Sequence, residues 1–223
     1  MQSTYQTGFS FLTVADISFI QKVLCDKPED VEGLLYLLAD SECADSIIDN
    51  PKLLSALKEA KNQVSVSLQF YFYIILRALF LKNNITETDP PKYISKVLSD
   101  HLTDNKLSAP YCTIDQKIEY GIDLLSCLQK ANRFQQYELH AYAANHFLFL
   151  TGCLAPFIRK RKKHRGAPGV RYYEQIGIYS FKSASFHPLA KEMDLEKTYQ
   201  SMAKNFRKNR QILNYFSDQF LHW

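Results

Sequence analysis

Residues 64–81 read VSVSLQFYFYIILRALFL, the longest apolar run in the chain. A membrane-spanning helix needs about 20 apolar residues. This run barely reaches that length and carries Gln69 and Arg77 inside it. A charge held in hydrocarbon costs several kcal/mol, so the run reads as a buried core helix with no membrane span. From Leu68 to Leu81 it is apolar nearly all round, which places it at the centre of whatever packs about it.

The segments around it are amphipathic at helical spacing. Val14, Ile17, Ile20 and Leu24 make one stripe, Leu34, Leu35 and Leu38 another, then Leu53, Leu54 and Leu57, then Tyr93, Ile94, Val97 and Leu98. Start signals precede them: Thr13 with Asp16, Asp26 with Pro28 and Glu29, Asn50-Pro51, and Asp89-Pro90-Pro91. Beyond Ser108-Ala109-Pro110, a stripe of Ile114, Ile118, Ile122, Leu125 and Leu128 runs to about Lys130. Tyr137 to Thr151 forms a helix stopped by Gly152, and Pro156 opens a basic helix that Gly166 ends. After the turn GAPG at 166–169, Tyr172, Ile176, Tyr179 and Phe181 predict a short helix, with an extended alternative over Gly177 to Phe181. Asp194 to Leu221 reads as one long amphipathic helix. The predicted fold is all-α, an orthogonal multi-helix bundle around the apolar helix at about residues 65–82. It is expected to be a single domain, 1–223, with a soft boundary near 104–112.

Composition agrees. A 223-residue chain with 46% apolar residues can bury a substantial core, and 7 Gly and 8 Pro leave little material for the turns of a many-stranded sheet. The five cysteines form no C-x-x-C pair and read as small buried residues of a reducing compartment. The N-terminus has no export signal, so a cytoplasmic location is expected.

Charge is unevenly placed. Residues 1–110 hold 10 Lys/Arg against 14 Asp/Glu, whereas residues 111–223 hold 17 against 9. Arg159, Lys160, Arg161, Lys162, Lys163, Arg165 and Arg171 crowd into one segment with no acidic residue. The run surrounds its helix. Phosphates would gain from such clustering, with Tyr172 and Tyr173 as stacking faces, and so would an acidic protein partner. The macrodipole also favours cations at a helix C-terminus, where Gly166 puts these.

Catalytic and cofactor signatures are lacking. The six histidines give no H-x-x-x-H or E-x-x-H pair, and no metal site is read from them. No phosphate-binding glycine loop follows a strand, and no nucleophile elbow occurs. Polar residues inside apolar stretches are the remaining candidates: Arg77, Asn145 and His146, and the series Arg210, Asn214 and Asp218. Read structurally, they pin helices through buried hydrogen bonds. Read functionally, Asn145, His146, Tyr172, Tyr173 and Glu174 would surround a small-molecule or lipid pocket, with His146 or Glu174 as acid and base.

The strings NHFLFLTG, RGAPG, YYE and ILNYFSDQFL, with Pro156, Ile158, Arg159, Gly177 and Tyr179, resemble a pattern of uncharacterised all-helical bacterial proteins. The resemblance covers the C-terminal third, with an echo in LQFYFYIILRALF, and implies a bacterial helical module with no assigned activity. The expected role is a non-catalytic interaction or accessory protein of a bacterial cytoplasmic system, with no cofactor. A protein partner would dock on residues 159–171 or on the aromatic C-terminal helix, NYFSDQFLHW. Nucleic-acid binding by the basic segment is the first alternative and the polar pocket the second. A homodimer through the final helix is also an ordinary expectation.

Overall fold

The computed structural model describes residues 11–27, 30–59, 65–103 and 121–221. Among these the chain is entirely helical, with thirteen helices and no strand. It divides into two compact units, residues 1–99 and 100–223. The soft boundary expected near 104–112 lies outside the described residues, apart from its approach along α6.

The first unit contains α1 (Val14–Leu24), α2 (Asp30–Ala39), α3 (Ser41–Ile48), α4 (Pro51–Glu59), α5 (Leu68–Lys82) and most of α6 (Asp89–Thr103). Thr13 and Asp16 form a reciprocal capping box at the start of α1. Asp16 is fully buried, and its second oxygen accepts the Ser67 amide at 2.7 Å, tying α1 to the N-cap of α5. The apolar run becomes α5, which buries Phe70, Tyr73 and Ile74 against Phe19, Ile20, Leu38, Leu53 and their neighbours. Arg77 is the charged residue within it. Its guanidinium donates to both oxygens of Asp49, at 2.7 and 2.8 Å, and to the carbonyls of Thr86 and Glu87 at 2.9 and 3.1 Å. A buried cation is thus fully engaged, and it staples the α5–α6 loop to the end of α3. The cap expected from Asp26, Pro28 and Glu29 is partly outside the described residues, and α2 starts at Asp30.

The second unit contains α7 (Gly121–Leu128), α8 (Arg133–Cys153), α9 (Ala155–Arg165), α10 (Val170–Ser185), α11 (Pro188–Glu192), α12 (Glu196–Lys204) and α13 (Phe206–Phe220). It has a centre of its own. Helix α8 starts with a capping box between Asn132 and Gln135 and packs against both α10 and α13. Its apolar residues are spread around the barrel of the helix, with Leu139, Ala143, Phe147, Leu148 and Phe149 all buried.

The stretch over Gly177 to Phe181 is helical, as the short-helix reading expects, and α10 runs on through to Ser185. One element departs from the sequence reading. The final helix is broken at Asn205, and its start at Asp194 is not an N-cap: Asp194 sits at φ 53°, past the end of α11. The break at Asn205 re-aims the chain so that Phe206 enters the core, fully buried beside Phe181. A residue of weak helix propensity yields there because burying a phenyl ring outweighs continuity of one turn. Among the described residues no single helix is long and apolar enough to cross a membrane. Cys25, Cys43 and Cys153 carry free thiols, but Cys127 is disulfide-bonded, which corrects the expectation of cysteines that are all reduced.

Candidate interaction surface

Helix α9 leaves α8 at an 86° bend and is anchored by Ala155 and Ile158, its two buried residues. Gly166 ends it in the left-handed region at φ 62°, a conformation that costs a residue with a Cβ and costs glycine nothing. The next turn, 166–169, delivers the chain to α10, and the Lys162 stem lies against Gly169. The anchor occupies only the first turn. Arg159, Lys160, Lys162, Lys163 and Arg165 are therefore exposed, as is Arg171 at the start of α10. Among the described residues no ion pair engages any of these six. Arg161 lies over the Phe157 ring at 5.5 Å, within cation–π range. Phe157, Lys160, Arg161, His164 and Arg165 share one face of the helix.

Tyr172 and Tyr173 part company. Tyr172 is 40% exposed, whereas Tyr173 is buried and stacks on Phe147 at 5.6 Å. A two-tyrosine stacking platform is thus reduced to one face. Tyr172 lines an apolar groove between α7 and α10, whose walls include Ile122 and Leu125 on one side and Ile176 and Tyr179 on the other. Three of these side chains are left largely in water: Ile122 at 68%, Leu125 at 57% and Tyr179 at 59%. The buried face of α7, Leu124 with Cys127, packs instead into the core shared with Leu139, Ala143 and Phe147.

The polar candidates are engaged in different ways. Arg77 belongs to the first unit and is satisfied there. Glu174 is buried on α10, where it accepts Arg207 Nε at 3.0 Å and Arg210 Nε at 3.1 Å from α13. Arg210 in turn donates to Asn214 Oδ1 at 2.9 Å, and the Asn214 amide donates to the carbonyls of Thr151 and Gly152. Ser217 Oγ donates to the Cys153 carbonyl at 3.0 Å. These are the orphan carbonyls at the end of α8, so α13 caps α8 through side chains. Asp218, expected in the same series, is exposed, and Ser217 does the capping.

His146 lies elsewhere on α8, parallel to the Tyr142 ring at 5.8 Å. Burial, with the neighbouring His101, pushes its imidazole down to about 4, so it is neutral at pH 7. Nδ1 of His146 is buried without a hydrogen-bond partner. The groove that Tyr172 lines contains neither Asn145 nor His146. Among the described residues no cluster of three His, Cys, Asp or Glu side chains could hold a metal ion. In the C-terminal helix Phe216 is fully buried and Phe220 stacks on it at 5.7 Å, leaving Tyr215 as its exposed aromatic among the described residues.

No protein-family model matches the chain, and no curated protein or solved structure is significantly similar to it.

Proposed function

We propose that the chain is a non-catalytic interaction module that docks an acidic protein partner on the basic segment 159–171. The observation that carries this reading is the exposure of Arg159, Lys160, Lys162, Lys163 and Arg165, with no ion pair to them among the described residues. Rim charges of one sign steer partners of the other sign and reject those of like sign. The bacterial setting rests on the resemblance of the C-terminal third alone. A nucleic acid would use the same cations, but it would want flat rings beside them, and of the two adjacent tyrosines only Tyr172 is accessible. The polar-pocket reading is weakened by the engagement of Glu174 with two arginines and by the absence of His146 from the lining of the groove that Tyr172 borders.

The test compares the wild-type chain with a Lys160→Glu, Arg161→Glu, Lys162→Glu, Lys163→Glu variant, each immobilised and exposed to bacterial extract, beside oligonucleotide anisotropy. A protein held by the first chain, lost by the second and released by salt supports the proposal. Tight binding of DNA or RNA, with a slope in log salt of about 0.9 per phosphate engaged, would overturn it in favour of a nucleic-acid role.

A further inference from the structure

The groove between α7 and α10 adjoins the basic segment through chain geometry. Arg171 and Tyr172 stand at the first turn of α10, directly after the turn that ends α9, and Tyr179 stands two turns further on. From Arg171 to Tyr179 the groove runs about 12 Å, the length of two turns of helix. Its volume is about 730 Å³. Small-molecule sites enclose most of their ligand and converge several polar groups on it. Here the walls are apolar with Arg171 and Gln175 as the polar members, and Ile122, Leu125 and Tyr179 remain more than half exposed. Large apolar side chains left in water along a groove mark a surface that a partner covers.

We infer that the α7–α10 groove receives an amphipathic helix of a partner protein, its apolar stripe against Leu125 and Tyr179 and its acidic residues toward Arg171 and α9. The inference rests on the interaction reading above and gives the partner a chemistry. Leu, Ile or Phe side chains at i, i+3, i+4 and i+7 would fill the groove, as in other helix-in-groove complexes. Arg171 is the cation that lines the groove, at the end where α10 begins, which orients the helix: Glu or Asp belongs at that end.

The experiment uses the full chain and a labelled sixteen-residue peptide with a Leu stripe and Glu in its first two turns, beside the same peptide with Lys for Glu. Anisotropy is read at physiological salt. The Glu peptide is expected to bind at least tenfold more tightly than the Lys peptide. It is expected to lose at least tenfold in a Leu125→Ser, Tyr179→Ser variant, and an independent Ile122→Ser variant should weaken it in the same direction. All three side chains are exposed, and circular dichroism confirms that the variants fold. Equal binding by wild type and the Leu125→Ser, Tyr179→Ser variant would refute the groove. If the four-charge reversal still weakened the peptide, the interaction reading would survive that result. No effect of the charge reversal, or no binding of the Glu peptide, would remove the acidic-helix proposal. A wild-type dimer in sedimentation that the groove variant dissociates would also overturn it, because a second copy would then be the occupant.

Discussion

Replacing Glu174 separates a structural carboxylate from a catalytic one. Its side chain is 5% exposed and holds two arginines that differ sharply in burial, Arg210 at 15% and Arg207 at 64%. Breaking a buried ion pair by removing one member costs about 3–5 kcal/mol, because the other charge is left without its partner. Arg210 keeps Asn214 and some access to water, so Glu174→Ala is expected near the low end, about 3 kcal/mol. An ion pair with an exposed arginine is worth about 0–1 kcal/mol, so Arg207→Ala should change little. Arg210→Ala should resemble Glu174→Ala, since it also frees Asn214 from one of its bonds. Urea titration followed by circular dichroism measures these differences. The double replacement Glu174→Leu with Arg210→Met should recover most of the loss, since a packed apolar pair avoids desolvating two charges. A loss below about 1 kcal/mol for Glu174→Ala, against the cost of about 3–5 kcal/mol for a broken buried pair, would refute the reasoning. So would a larger effect at Arg207 than at Arg210.

Three further outcomes are expected. His146, held near 4 in the folded chain against an ordinary value of about 6.5, contributes stability that is complete above pH 6.5 and falls as pH drops toward 4. Between pH 6.5 and 5 the loss is about 2 kcal/mol at 1.36 kcal/mol per pH unit, and a His146→Phe variant should lack it when urea midpoints are compared at the two pH values. Arg77→Lys keeps the charge but loses the fork that reaches Asp49 and two carbonyls, so the first unit should lose about 3 kcal/mol in thermal or urea unfolding. A Cβ at Gly177 would lie 2.5 Å from the Phe206 ring, so Gly177→Ala should cost about 1–3 kcal/mol by overpacking, with Phe206→Leu relieving part of it.

Local signals were the most legible part of the fold. The Thr13–Asp16 box, the Asn50-Pro51 start and the Gly166 stop act through neighbours in sequence, and each stands where the pattern puts it. Packing decided the rest. Nothing near Asn205 announces a break, because its cause is the place available to Phe206 beside Phe181. One apolar run drew the eye to a single centre, whereas α8 is a second centre whose polar residues, His140 and His146 among them, hide its burial from a count of apolar letters. The groove is hidden in the sequence for a related reason. The spacing puts Ile122 and Leu125 in one stripe with Leu128, but Leu124 and Cys127 form the buried face of α7, leaving Ile122 and Leu125 outward. Apolar residues on both faces of so short a helix were the available sign. In sequence Glu174 falls with the pocket candidates and Arg210 and Asn214 fall with Asp218 in a separate series, because the pairing of Glu174, Arg210 and Asn214 across α10, α13 and the end of α8 depends on tertiary placement.

The basic helix is hard to explain by its own folding. The macrodipole rewards cations in the last turn by about 0.3–1 kcal/mol each at a surface, which accounts for Lys162 to Arg165. It does not reach Arg159 and Lys160. Within the helix Arg159 faces Lys163 and Arg161 faces Arg165 at i, i+4, and such like-charge pairs each destabilise a helix by roughly 0.2–0.5 kcal/mol. Glutamate at any of these positions would have relieved the repulsion and kept the helix as soluble. Two buried side chains, Ala155 and Ile158, hold the helix in place against that repulsion. A surface that is charged against its own stability, beside apolar side chains left uncovered, is more economically explained by what it meets than by what it supports.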